Sequence, residues 1–199
     1  MDAQQTYIAI LRKKHGEKRK RDIWADSPWK EISELKNDDV GKVGEDTIQA
    51  WCDAAGISAS INGMNTKELG GGNGDGIIKG HTVEIKTAQM GSTGDTFQHE
   101  LGECPWNAEY MLFLDIAPHS MYITLFPNFT EEFYIQSGKD NTIKCDPVFP
   151  TKSICWRKLK GAFKLDTTQK INLTCPYTFE WTPDTDYKHF ATFINDIIP

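Results

Sequence analysis

The chain has 199 residues, of which 39% are hydrophobic and 25% charged, with 6 Trp, 6 Tyr and 10 Phe. That is the content of one domain with a full core, and it excludes a disordered tail, a collagen-like chain and a low-complexity segment. The net charge is −6 but unevenly spread, since residues 12–21 carry +6 and the other 189 carry −12.

No apolar run approaches the roughly 18 residues needed to cross a bilayer. The start, Met1-Asp2-Ala3-Gln4-Gln5, lacks the basic and apolar runs of a signal peptide, so no membrane partner and a cytoplasmic location are expected. The five cysteines are odd in number and form no C-x-x-C pair, which points to reduced, mostly buried thiols rather than a disulfide framework or zinc knuckle.

In chain order, Tyr7, Ile8, Ile10 and Leu11 give residues 2–21 an apolar side at helical spacing, so a helix running into the basic stretch is expected. Ser27 as N-cap and Pro28 at the first helical position predict a short helix to about Leu35. A third helix is predicted from Val40 to about Ala55, with Val43, Ile48, Trp51 and Cys52 on one side and Gly56 as its stop.

From there the pattern changes to strands. One is predicted over Ile57–Ile61, followed by a Gly-rich stretch from Gly70 to Gly76 and a hairpin from Asp75 to Thr87 turning at Lys79-Gly80. Phe97–Leu101 reads as a short helix or turn, and Ala108–Ile116 and Met121–Phe126 as strands joined by a turn at residues 117–120. A strand pair is expected between Ser153 and Leu173, and a closing helix from Asp186 to Ile197. The order suggests a single domain over 1–199 of α/β (α+β) class, with a central mixed sheet flanked by helices. Its parts are a mainly helical 1–56, a sheet over 57–126 and a mixed 127–199.

The chemistry concentrates in the hairpin. With Lys79-Gly80 as its turn, Ile78 faces His81 and Asp75 falls opposite Glu84, where cross-strand Cβ atoms are about 4.5–5.5 Å apart. Lys86 projects from the same face as Glu84, because side chains alternate along a strand. Two adjacent carboxylates repel unless a cation sits between them, and a hard divalent ion such as Mg²⁺ takes oxygen ligands. Lys86 beside such an ion can hold or help deprotonate a water that attacks phosphorus.

The triplet acid-x-Lys is uninformative by itself, since this composition yields about three by chance. Glu34-Leu35-Lys36 and Asp186-Tyr187-Lys188 match it too, but both fall in predicted helices. Only Glu84-Ile85-Lys86 combines a strand, an upstream Asp and glycines at 74, 76 and 80.

Asp75 followed nine residues later by Glu84-Ile85-Lys86 at the end of a hairpin resembles the PD-(D/E)xK nuclease superfamily, which includes many restriction endonucleases. Val43-Gly44-Glu45-Asp46, at the start of the third helix, is similar to the helix that often supplies a further acid there. Gly74 stands where the family usually has Pro, and the resemblance covers about 45 residues, from Gly44 to Gln89. It implies a restriction-endonuclease-like core in which Asp75 and Glu84 bind Mg²⁺, with Mn²⁺ as a substitute and the Ile85 carbonyl as an extra ligand. It also implies that Lys86 orients or activates water and that Glu45 holds a second ion or its water.

The function so implied is DNA phosphodiester hydrolysis, with a type II restriction endonuclease as the first reading. Double-stranded DNA is then the partner, a homodimer the simplest way to match a palindromic site, and a cognate DNA methyltransferase a companion in the same system. Lys13, Lys14, Arg19 and Arg21 in the first basic run, and Arg157 and Lys158 in the second, are candidate phosphate contacts, followed by Lys79, Gln98 and His99. The alternatives are a nickase, a repair, junction or homing nuclease, or a DNA-binding accessory subunit.

Overall fold

A computed structural model of the chain describes residues 2–17, 22–62, 74–92, 96–102, 106–129, 155–159, 162–168 and 177–199. The first helix, α1 (Ala3–Glu17), leaves Tyr7, Ile10 and Leu11 exposed to solvent. The expected second helix is only a 3₁₀ turn over Lys30–Glu34. Ser27 still accepts from the Trp29 amide at 3.2 Å, but the chain tightens after Pro28 instead of continuing as α-helix.

The principal helix, α2 (Asn37–Ala55), begins three residues before the predicted start and stops where expected, with Gly56 in the left-handed region at φ 70°. Its buried stripe is Val40, Gly44, Ile48 and Cys52, a run at i, i+4 spacing. Val43, expected on that side, is instead 41% exposed. The missed member is Gly44: a Cβ built there would lie 1.8 Å from Thr87 Oγ1, so the helix backbone presses directly onto the strand beneath it. Cys52 is a free, buried thiol, as expected, and burial pushes its pKa up to about 12.

The strands are β1 (Ala59–Ile61), β2 (Gly76–Ile78), β3 (His81–Gln89), β4 (Thr96–Gly102), β5 (Tyr110–Ile116), β6 (Met121–Pro127), β7 (Cys155–Leu159), β8 (Ala162–Thr168) and β9 (Thr178–Trp181). Six of them form a mixed sheet in the order β1-β2-β3-β5-β6-β9, in which only β3 and β5 run parallel. The fold class is therefore α+β with a mixed sheet and helices. Helix α3 (Tyr187–Ile197) follows, its first turn capped by the Asp186 carboxylate accepting from the amides of Lys188 and His189.

Residues 96–102 correct the expected helix or turn. They form β4, which pairs with β8 and β7 in a second, three-stranded sheet. The physical reason is a period of two: Phe97, His99 and Leu101 are buried while Gln98 points to solvent.

The odd-numbered side chains of β3, Val83 and Ile85, join Ile48, Cys52, Leu112, Leu114, Phe190 and Ile194 in the main core between the sheet and helices α2 and α3. Trp51 of α2 stacks on Trp181 of β9, with centroids 4.2 Å apart, and closes the far end of this layer. The even-numbered side chains of β3 face the opposite layer, where Ala88 packs with Phe97 of β4.

Gly44→Ala is expected to lower stability by about 1–3 kcal/mol through overpacking on Thr87, even though Ala is intrinsically the better helix former by about 1 kcal/mol. Adding Thr87→Ala removes the two nearest side-chain tips and should restore part of the loss. Urea unfolding checks both, and an unchanged midpoint in Gly44→Ala would show that the contact is not tight.

Candidate active site

The hairpin forms as predicted. Gly76 pairs with Val83, Ile77 with Thr82 and Ile78 with His81, and Lys79 and Gly80, both at positive φ (51° and 88°), make the two-residue turn. The expected direct pairing of Asp75 with Glu84 does not continue this ladder. Gly74 adopts φ 98°, which turns the chain so that the Asp75 amide donates to the Val83 carbonyl at 2.8 Å. Proline, locked near −65°, cannot take that angle, which accounts locally for a glycine at this position. A Cβ on Gly74 would also meet the Val83 oxygen at 2.4 Å.

Among the described residues, β3 therefore has no strand beside it on this edge beyond Val83. The Ile85 amide, left without a ladder partner, donates to Asp75 Oδ2 at 2.7 Å. The side chain thus takes the place of the missing strand. An extended residue sends its N–H and C=O to the same edge, so the Ile85 carbonyl is directed to the side where Asp75 sits.

Glu84 and Lys86 stand on the adjoining face of β3, 19% and 23% exposed, with Lys86 Nζ 2.5 Å from Glu84 Oε1. Glu45 comes from α2 on the opposite side and is bound to Lys42 at 3.3 Å. Partial burial is the first cause that raises the Asp75 pKa, to about 6. The Glu84 charge raises it further and that of Glu45 slightly, against the lowering effects of the Ile85 amide and the Lys86 ammonium. Of the four residues expected to act together, Glu84 and Lys86 are paired on β3 and their charges bear on Asp75, while Glu45, paired with Lys42 on α2, adds the smallest effect.

These residues can accommodate a divalent ion. Asp75 and Glu84 are two carboxylates whose repulsion the Lys86 ammonium relieves, and the Ile85 carbonyl supplies a neutral oxygen on the Asp75 side. Mg²⁺ characteristically needs only one or two carboxylates and keeps several waters. Among the described residues no group of three or more His, Cys, Asp or Glu side chains is placed to hold a metal ion, so any ion here would rest on two carboxylates, the carbonyl and water.

The outlying candidates fare differently. Lys13 and Lys14 lie on exposed turns of α1 and Gln98 on the solvent side of β4. Arg157 and Lys158 fall on β7, opposite Lys164 and Phe163 of β8. Arg19 and Arg21 lie outside the described residues. Lys79 is partly buried, and its ammonium donates to the Ile198 carbonyl at 2.5 Å, which ties the hairpin turn to the end of α3. The His99 side chain is fully buried, with Nε2 2.5 Å from Asp115 Oδ1, so in this position it faces the interior and not solvent.

Two features escaped the sequence reading. Gln49 of α2 reaches the outer edge strand, accepting from the Ile61 amide at 2.7 Å and donating to the Ala59 carbonyl at 3.3 Å. Asp115 was legible in principle, as the one acid in the apolar run Tyr110–Ile116, where a buried carboxylate demands a partner.

Compared with protein-family models, curated proteins and solved structures, the chain matches none. Among the described residues no helix is long and apolar enough to cross a membrane.

The raised Asp75 pKa fixes a sign for stability against pH. Below an ordinary aspartate's 3.8 the carboxyl is protonated whether the chain is folded or not, and its contribution to stability is fully present. As pH rises to about 6 the unfolded chain ionises first, and that contribution, on the order of 3 kcal/mol, is lost. Unfolding in chelator should therefore show Asp75→Asn gaining on the parent protein between about pH 4 and pH 7. A constant difference across that range would mean that Asp75 ionises as an exposed carboxylate does.

Proposed function

We propose that the protein is a Mg²⁺-dependent endodeoxyribonuclease of the PD-(D/E)xK kind, with a restriction-endonuclease-like core, acting as a type II restriction endonuclease. The observation that carries the proposal is the meeting of Asp75, Glu84 and Lys86 where β3 loses its neighbour, with the Glu45 charge felt at the same point.

Asp75, Glu84 and the Ile85 carbonyl are the groups that would hold the ion, and Glu45 would hold a second ion or a water. When bound, the ion supplies Lewis acidity and neutralises charge on the phosphate. The chain's own residues do the rest. The Ile85 amide fixes Asp75 Oδ2, so the carboxylate is oriented before any ligand arrives. Lys86 is held by Glu84 beside that edge, where its Nζ can donate a hydrogen bond to the attacking water or to a phosphate oxygen. The apolar neighbours Val83 and Ile85 are buried on the other face and keep the strand from yielding.

Exposed Lys13 and Lys14, with Arg19, Arg21, Arg157 and Lys158, supply phosphate contacts in this reading. A homodimer presents two such edges to the two strands of a palindromic site. A cognate methyltransferase would protect the host's own sites.

Supercoiled plasmid incubated with Mg²⁺ is expected to give discrete linear fragments, and chelator should abolish cutting. Asp75→Asn and Lys86→Ala are each expected to slow cleavage by at least about 100-fold. Nicked circles alone would point to a nickase or to one half of a two-subunit enzyme. A folded protein that leaves plasmid intact, or an Asp75→Asn chain that cuts as fast as its parent, would overturn the proposal. Duplex binding by Asp75→Asn should weaken at least about tenfold between roughly 50 and 200 mM salt if the basic residues clamp phosphates.

A further inference from the structure

We propose that His99 and Asp115 are positioning residues for Lys86, an inference that rests on the nuclease reading for its kinetic part only. The parallel register between β3 and β5 sets Glu84 beside Met111, Lys86 beside Phe113 and Ala88 beside Asp115. These six side chains share the face away from α2 and rise in three rows from the sheet edge.

Asp115 is fully buried, and a carboxylate there requires a strong partner. His99 of β4 supplies one, its Nε2 lying 2.5 Å from Oδ1. The bond crosses from the second sheet to the first. Its ring also stands edge-on to Phe113, with centroids 5.1 Å apart and planes at 62°. Among the described residues His99 Nδ1 has no hydrogen-bond partner, so the contact through Nε2 is what fixes the ring.

Lys86 consequently has a filled position on two sides of it in the sheet. Phe113, braced by His99, stands beside it, and the Ala88 row, covered by Phe97, blocks the direction further along the strand. The open direction leads back to Glu84 and the Asp75 edge, which is where its ammonium is found. The His99–Asp115 pair holds β4 and Phe113 in place and so confines Lys86 without touching the reacting atoms.

Side-chain geometry offers a sharp test in the full chain. The amide nitrogen of His99→Gln reaches about as far as Nε2 and can renew the bond to Asp115, whereas that of His99→Asn sits near the place of Nδ1 and cannot. Two readouts are needed. The first is the lysine ammonium NMR signal of Lys86, assigned by its loss in Lys86→Ala. It should move toward the exposed-lysine position in His99→Ala and His99→Asn but stay close to its original place in His99→Gln. The second is plasmid cleavage, where kcat should fall about 10- to 100-fold in His99→Ala and His99→Asn, recover in His99→Gln, and leave KM within about twofold throughout.

A rise in KM at constant kcat would overturn the inference in favour of a role in gripping DNA. Equal behaviour of the Gln and Asn variants would reduce the pair to packing, and an unmoved Lys86 signal would sink the proposal outright. If His99→Ala does not fold, the Gln and Asn pair still decides the matter. If the parent protein cuts no DNA, the nuclease reading fails, and the Lys86 signal alone then decides whether the confinement is real.

Discussion

The site depends on one backbone group that has lost its partner. Before β2 begins at Gly76, the Ile85 amide of β3 has no strand to bond among the described residues, and Asp75 Oδ2 accepts from it at 2.7 Å. A buried amide left unpaired is destabilising by about 1–3 kcal/mol, so the carboxylate is drawn to this edge by the ordinary demands of a sheet. Beside it, on the adjoining face, stand a second carboxylate and an ammonium, Glu84 and Lys86.

Three layers converge on that edge. From one side α2 approaches until its backbone at Gly44 meets Thr87, and this close approach brings Glu45, the next residue, within electrostatic reach of Asp75. From the other side β4 lays Phe97 and His99 over the row above Lys86. The sheet itself supplies the third layer. Each contact relies on a small residue where a larger one is common: Gly44 under the helix, Gly76 against Ile61, and Ala88 beneath Phe97.

Much of this was legible in the residues, and the failures share a cause. The hairpin turn, the stop at Gly56, and the strands around residues 110–116 and 121–127 follow from local rules of turn chemistry and periodicity. The second helix was misread because its cap was right while the following turn tightened to 3₁₀. Phe97–Leu101 was misread because five residues between glycines do not distinguish a turn from a strand unless the alternation around His99 is given weight. Val43 and Gly44 exchanged roles for a reason no propensity contains: which face of a helix is buried depends on how closely its backbone may approach a neighbour. At the site, the residue types were legible, but the departure of Asp75 from the ladder depended on the φ of Gly74.

The sixth strand and last helix give the fold a direction in time. β9 pairs with β6, Phe190 and Ile194 fill the core against α2, and the carbonyl of Ile198 receives the ammonium at the tip of the hairpin. β9 and the helix come from residues made about 90 or more positions after the hairpin. At ordinary rates of synthesis the hairpin therefore waits about 5–20 s for the elements that brace it. During that interval α2 has β3 beneath it but lacks the part of its cover that Phe190 and Ile194 supply. A nascent chain thus carries the charged residues of the site before the last elements that brace the hairpin tip and the core are in place.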